Sequence, residues 1–198
     1  MSCPEPGFLT PKEALAALMA GNCRYVTGQM LHPHQDVSRR ETVADGQNPF
    51  AVVLGCADSR VPPEILFDQG IGDLFVIRVA GNVVDDFVLG SVEYAVAHLN
   101  TPLIVVLGHS SCGAVTAAVE SGPHDGAVGR LIAAISPAVE ESRESPGDVL
   151  ANAIVRNAER AVEALCASSI VTGARESGAL RVVAACYDLA TGAVSIIE

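Results

Sequence analysis

The sequence predicts one α/β domain over residues 1–198: a mainly parallel β-sheet flanked by helices, with an N-terminal helix and arm in 1–50 and a short C-terminal edge strand. Short apolar runs at 51–55 and 103–107 are typical of strands buried on both faces of a parallel sheet. Amphipathic stretches of helical period alternate with these runs, which indicates right-handed strand–helix–strand units. A chain of 198 residues, 49% hydrophobic and 18% charged, has enough apolar material for a core.

The N-terminal region begins with a helix start signal. Thr10 is suited to cap a helix whose first residue is Pro11, and an apolar face follows. The pair Gly21-Asn22 is predicted to end this helix, and the polar, aperiodic residues 27–49 are predicted to form an extended arm. Because such a helix and arm have little to bury against in their own chain, we expect them to wrap around a partner subunit.

The remaining elements alternate between strand and helix along the chain. After the strand at 51–55 we predict, in order, a short helix from Pro62-Pro63 to about Phe67, a strand from Leu74 to Val79, a helix capped by Asp85 or Asp86, a strand at 103–107, a helix from Cys112, a helix at about 129–142, a long helix through Leu150 and Leu165, a strand from Leu180 to Tyr187 and an edge strand from Ala193 to Ile197. The turn at 190–192 predicts that the last strand forms a hairpin with the one before it.

The charge balance argues against two classes of partner. The formal net charge is −11, from 12 basic and 23 acidic residues, so we expect neither nucleic acid nor an anionic membrane surface to bind. The sequence contains no uninterrupted apolar stretch of about 18 residues, and no secretory signal pattern is visible. The six cysteines are therefore expected to be reduced thiols in a cytoplasmic protein rather than disulfides.

Candidate metal ligands follow two of the predicted strands. Cys56 comes directly after the strand at 51–55, and His109-Ser-Ser-Cys112 comes after the strand at 103–107. Ligand sites in open α/β sheets form beyond the carboxyl ends of the strands, where these side chains can converge. Two thiols and one imidazole form a Cys₂His set that leaves the fourth tetrahedral position of zinc open, as in catalytic sites. The alternative is that both cysteines are core residues and His109 is an ordinary loop histidine.

Asp58 and Arg60 lie two and four residues beyond Cys56, beside the candidate metal site. An unpaired carboxylate and guanidinium are costly to bury in a tight turn, so we expect these two to pair with each other. A carboxylate held by an arginine is suited to orient a water molecule at the metal and to accept its proton. The alternative is a structural ion pair that only stiffens the turn.

Four sequence fragments resemble one known family. Cys-Ala-Asp-Ser-Arg-Val-Pro begins at residue 56, Phe-Val-Ile-Arg-x-Ala-Gly-Asn at 75, Ser-x-Glu-Tyr-Ala at 91 and Gly-His-Ser-Ser-Cys-Gly-Ala at 108. In this order they resemble the β-class carbonic anhydrases, and the resemblance extends from about residue 11 to the end of the chain.

The resemblance implies one zinc ion per chain, with Cys56, His109 and Cys112 as ligands. Asp58 and Arg60 match the catalytic pair of the family, and in a closed form of some members the aspartate is the fourth zinc ligand. Gln47 matches a glutamine that reaches the substrate pocket across the dimer interface. The other positions that match the pocket or its surroundings are Val61, Phe75, Ala80, Tyr94 and Gly113.

The implied activity is that of a zinc lyase, the reversible hydration of carbon dioxide to bicarbonate and a proton by zinc-bound hydroxide. The implied assembly is a homodimer or a dimer of dimers. Two alternatives remain open: a hydrolase of another small heterocumulene such as carbon disulfide, and a non-catalytic zinc-binding sensory or structural protein. The presence of Asp58 and Arg60 argues against the second, because a purely structural zinc site needs neither.

Overall fold

The structure is a computed structural model that describes residues 9–197. Its helices are α1 (Pro11–Val26), α2 (Val37–Thr42), α3 (Pro63–Leu66), α4 (Asp86–Leu99), α5 (Gly113–Glu120), α6 (Gly126–Arg143), α7 (Val149–Cys166) and α8 (Ser169–Glu176). Its strands are β1 (Ala51–Gly55), β2 (Leu74–Arg78), β3 (Leu103–His109), β4 (Arg181–Tyr187) and β5 (Val194–Ile197). Among the described helices, none is long and apolar enough to cross a bilayer.

The strands form one sheet in the order β2-β1-β3-β4-β5, in which β5 is antiparallel to β4 and the other pairs are parallel. Every residue of β1 and β3 is buried, which explains their continuous apolar runs. One face of the sheet packs against α1 and α3, and the other packs against α4, α7 and α8. Because β1 and β3 are parallel neighbours, their carboxyl ends meet at the same edge of the sheet.

The predicted mainly parallel sheet and its C-terminal hairpin are confirmed, with two differences of detail. Strand β3 continues to His109, because its ladder with β4 extends as far as the pairing of His109 with Tyr187. Helix α8 was not predicted. It has eight residues and buries only Val171, so its length and burial are too small to give a helical period in the sequence.

Helix α1 runs to Val26, so the prediction that it ends at Gly21-Asn22 is wrong. Gly21 lies where α1 approaches the end of α3 most closely, and a β-carbon there would lie 1.7 Å from the carbonyl oxygen of Phe67. Asn22 is buried and donates hydrogen bonds to the carbonyl oxygens of Leu66 and of the β4–β5 hairpin. Both residues are therefore needed for packing, and neither stops the helix.

Helix α1 and the arm pack on their own chain, contrary to the expectation that they have little to bury against there. Leu18 of α1 is fully buried in the core, and the arm contains α2 where none was predicted. Two buried carboxylates anchor the arm: Asp68 accepts from backbone N–H groups of residues 31 and 32, and Asp73 pairs with His34 and Arg39. Burial disfavours the charged form of Asp68, but these hydrogen bonds and one from Arg24 outweigh it and lower its pKa.

Candidate metal centre and active site

Three side chains converge beyond the carboxyl ends of β1 and β3. Cys56 follows β1, His109 ends β3, and Cys112 is the N-cap of α5. The two sulfur atoms and a ring nitrogen of His109 lie within 4.8 Å of one another, and all three residues are buried. Two atoms that each lie about 2.0–2.3 Å from one zinc ion are at most about twice that distance apart. The three ligand atoms are therefore close enough together to bind the same ion. The structure therefore brings together the three residues that were singled out as ligands.

The orientation of His109 leaves one ring nitrogen available to a metal. Nδ1 lies 3.0 Å from the carbonyl oxygen of Ser110, so Nδ1–H donates and the lone pair is on Nε2. Within residues 9–197, Nε2 is buried and has no hydrogen-bond partner. A buried polar atom left unpaired costs about 1–3 kcal/mol, a cost that a bound cation removes. Thiolates with an imidazole suit zinc and not magnesium or calcium, so these residues fit a zinc ion.

The two candidate ligand thiols interact with each other, and this interaction shifts their pKa values in opposite directions. A hydrogen bond from Cys112 lowers the pKa of Cys56, burial opposes this, and the N–H groups of Gly81 and Asp58 lower it further. The same interaction with Cys56, together with burial, raises the pKa of Cys112. Metal ligation requires both sulfur atoms as thiolates, so binding of zinc here is expected to release a proton.

Asp58 and Arg60 form the ion pair that was expected, next to the three ligand residues. The backbone N–H and Nε of Arg60 each lie 2.9 Å from Oδ1 of Asp58, and Nη2 donates to Oδ2 at 2.6 Å. These hydrogen bonds from Arg60 hold the pKa of Asp58 well below its usual value. Oδ2 also lies 3.9 Å from Nε2 of His109, so the carboxylate borders the place where a metal would bind.

Arg78 holds the Cys56–Arg60 turn in place, a role that sequence reasoning missed. Its Nε donates to the carbonyl oxygen of Cys56 at 3.0 Å, and Nη2 donates to that of Asp58 at 2.5 Å. The available signal was a charged residue close to the end of the predicted strand from Leu74 to Val79. Parallel pairing places Arg78 opposite Gly55, directly before Cys56.

Three of the proposed pocket residues lie near the ligand residues in the same chain. The backbone N–H of Val61 donates to the carbonyl oxygen of Asp58, and its side chain is fully buried. Ala80 begins the 3₁₀ turn Ala80–Asn82, and the N–H of Gly81 in this turn donates a hydrogen bond to the Cys56 sulfur atom. Gly113 follows Cys112, and a β-carbon placed on it would meet no atom within 4 Å. Open space therefore adjoins the ligand residues at Gly113.

The other three proposed pocket residues do not join this group within one chain. Phe75 pairs with Val52, four strand positions before Cys56, which is about 13 Å along the strand. Tyr94 of α4 lies against Phe75, with ring centroids 6.4 Å apart, and is 49% exposed. Gln47 is exposed and precedes β1, so it lies towards the opposite edge of the sheet.

Comparison with known proteins agrees with this geometry. Residues 51–194 match the protein-family model described as carbonic anhydrase. A carbonic anhydrase of Mycolicibacterium smegmatis is 42% identical over 191 residues, which cover 94% of this chain and 93% of that protein. Carbonic anhydrase 2 of Mycobacterium tuberculosis is 46% identical over 187 residues, which cover 92% of this chain and 90% of that protein.

Solved structures agree in fold. A structure from a study of two tetrameric β-carbonic anhydrases of Sordaria macrospora matches with a TM-score of 0.75 and 26% identity, over 93% of this chain and 96% of that one. A Coccomyxa β-carbonic anhydrase matches with a TM-score of 0.72 and 29% identity, over 96% and 86% of the two chains. Sequence and fold therefore lead to the same family across nearly the whole length, and this protein belongs to the β-carbonic anhydrases.

Proposed function

We propose that this enzyme hydrates carbon dioxide reversibly to bicarbonate and a proton, with one zinc ion per chain held by Cys56, His109 and Cys112. The observation that carries the proposal is the buried, unpaired Nε2 of His109, which lies in a cluster with the two thiols and next to the carboxylate of Asp58. When bound, zinc supplies a Lewis acid that lowers the pKa of water, so that a nucleophile is available near neutral pH.

The protein's own residues orient the reaction. Asp58 accepts a hydrogen bond from the attacking water and so directs a lone pair of that water towards the carbon atom of the substrate. Arg60 fixes both carboxylate oxygens of Asp58, which prevents the side chain from rotating away. Arg78 holds the backbone of the same turn. The proton released from water then passes to buffer.

The substrate pocket is completed by a second copy of the chain. Phe75, partly buried on the edge strand β2, and Tyr94 of helix α4, which is 49% exposed, form an aromatic patch, and Phe87 at the start of α4 is 87% exposed. Such a patch indicates an interface, since apolar groups are favourable where another surface covers them. We infer a homodimer, or a dimer of dimers, in which Gln47, Phe75 and Tyr94 of each chain line the substrate pocket of the partner chain. Carbon dioxide has no charge, so apolar walls suit it.

Mixing two inactive variants tests this shared site. Cys112→Ala removes a ligand, and Gln47→Ala removes the residue proposed to cross the interface. The two proteins are unfolded, mixed and refolded together to form hybrid dimers. In each hybrid, one site combines the intact Cys112 of one chain with the intact Gln47 of the other, so turnover is expected to recover. Each variant treated alone is the control. A wild-type monomer at micromolar concentration by sedimentation, or no recovery in hybrids shown to form, contradicts the proposal.

A stopped-flow comparison of two substrates separates the proposed activity from its alternatives. Zinc-loaded protein is expected to hydrate carbon dioxide and to leave carbon disulfide unchanged. Hydrolysis of carbon disulfide without hydration of carbon dioxide favours the heterocumulene hydrolase. Full zinc loading with neither activity favours a sensory or structural protein.

We also infer a cytoplasmic location. The cysteines within residues 9–197 are free thiols, as is common in a reducing compartment.

A further inference from the structure

The sulfur atom of Cys56 receives a hydrogen bond from a backbone turn that precedes α4. The N–H of Gly81, in the 3₁₀ turn Ala80–Asn82, donates to Sγ of Cys56 at 3.3 Å. Gly81 has φ of 69° and ψ of 16°, and the following Asn82 has φ of 43°. Glycine adopts the left-handed region without steric cost and asparagine adopts it more readily than most residues, so local sterics permit this turn and its contacts decide how it is placed. The direction of this N–H therefore depends on what holds the turn.

Asn157 is the side chain that holds the turn from the other side. It lies on α7, is 5% exposed, and its Nδ2 donates to the carbonyl oxygen of Gly81 at 2.7 Å. A β-carbon on Gly81 would lie 2.6 Å from Cδ1 of Ile135, so packing also limits the turn. A short buried path thus runs from the amide of Asn157 through the backbone of Gly81 to the sulfur atom of Cys56.

We propose that Asn157 is a positioning residue for the metal centre: through Gly81 it directs a hydrogen bond onto the Cys56 sulfur and so tightens zinc binding. This inference rests on the proposed zinc site. A hydrogen bond to a thiolate stabilises its charge and fixes the direction of its lone pairs. Partners of this kind commonly change metal affinity by about 10–100-fold when they are removed.

Isosteric replacement separates this role from a contribution to folding alone. Asn157→Asp keeps the shape of the side chain, but an ionised carboxylate cannot donate to the Gly81 carbonyl oxygen. Asn157→Ala removes the donor without adding charge, and Asn157→Gln retains a donor on a longer side chain. Leu165→Val is the matched control. Leu165 is buried on the same helix, in the core that packs α4, α7 and α8 against the sheet, eight residues and about 12 Å further along from Asn157.

Two measurements are made on each full-length variant: zinc affinity in competition with a chelator, and the thiolate-to-metal absorption band after cobalt substitution. We expect zinc affinity to fall about 10–100-fold in Asn157→Asp and Asn157→Ala, with a shifted cobalt band, and to be partly restored in Asn157→Gln. Leu165→Val should lose stability and keep both the affinity and the band of the wild type.

The possible results distinguish the inference from the proposal beneath it. If both donor-lacking variants lose stability but keep wild-type affinity and band, Asn157 is only structural and the inference is wrong, while the zinc site stands. If Asn157→Asp does not fold, Asn157→Ala and Asn157→Gln decide the question by the same comparison. If the wild type itself binds no zinc, the proposed function fails first.

Discussion

Replacing Cys112 by alanine is expected to remove most of the zinc and, with it, the turnover. The change leaves two of the three proposed protein ligands, and alanine offers no atom in place of the thiolate. Cys112 is also buried at the N-cap of α5, where the helix dipole favours a negative charge on its sulfur. Metal analysis of the purified variant should show zinc at a small fraction of one ion per chain.

Cys186→Ala is the matched control for this experiment. Cys186 is a half-buried thiol that packs against the cluster containing Cys56 and Cys112, but it lies outside the three-residue ligand group. This variant is expected to keep its zinc and most of its turnover. Full zinc content in Cys112→Ala, or equal loss in both variants, would remove the proposed ligand set.

Replacing Asp58 by asparagine is expected to leave the zinc in place and to lower turnover by about 100-fold or more. The amide is nearly the same size as the carboxylate, but it has one acceptor atom where Asp58 has two. Asp58 uses Oδ1 for two hydrogen bonds from Arg60 and Oδ2 for a third, while Oδ2 also lies 3.9 Å from Nε2 of His109. Asparagine cannot satisfy Arg60 and orient the attacking water equally well.

Asp86→Asn serves as the control, because Asp86 is an exposed carboxylate in the first turn of α4. Its turnover should match that of the wild type. If Asp58→Asn, loaded with zinc, also retains near-wild-type turnover while its melting temperature falls, then the Asp58–Arg60 pair only stiffens the turn. The catalytic role proposed for Asp58 would then have to be abandoned.

The parts of the fold set by local pattern could be predicted from the sequence. Continuous apolar runs indicated β1 and β3, and the parallel sheet that they imply places the chain after each strand at one edge. Cys56, His109 and Cys112 could therefore be grouped before any coordinates were known. Pairing of Asp58 with Arg60 followed from the cost of leaving either charge unpaired in a tight turn.

The features that depend on distant contacts could not be predicted in this way. Gly21 and Asn22 are typical of a helix end, yet tertiary packing against α3 and the C-terminal hairpin keeps α1 helical through them. Asn157 is separated from Gly81 by 76 residues, and no sequence pattern near either residue predicts the hydrogen bond between them. The order of the strands in the sheet could not be predicted from local sequence patterns either, because it depends on how the helices that connect the strands pack against the sheet.

Stepwise addition of zinc to metal-stripped protein, with carbon dioxide hydration followed by stopped flow at each step, tests the central claim most directly. Turnover is expected to rise in proportion to zinc and to level off at one ion per chain, and Cys112→Ala should show no such rise. Hydration at the full rate in the metal-free protein, or saturation with zinc without any hydration, would contradict a catalytic zinc at Cys56, His109 and Cys112.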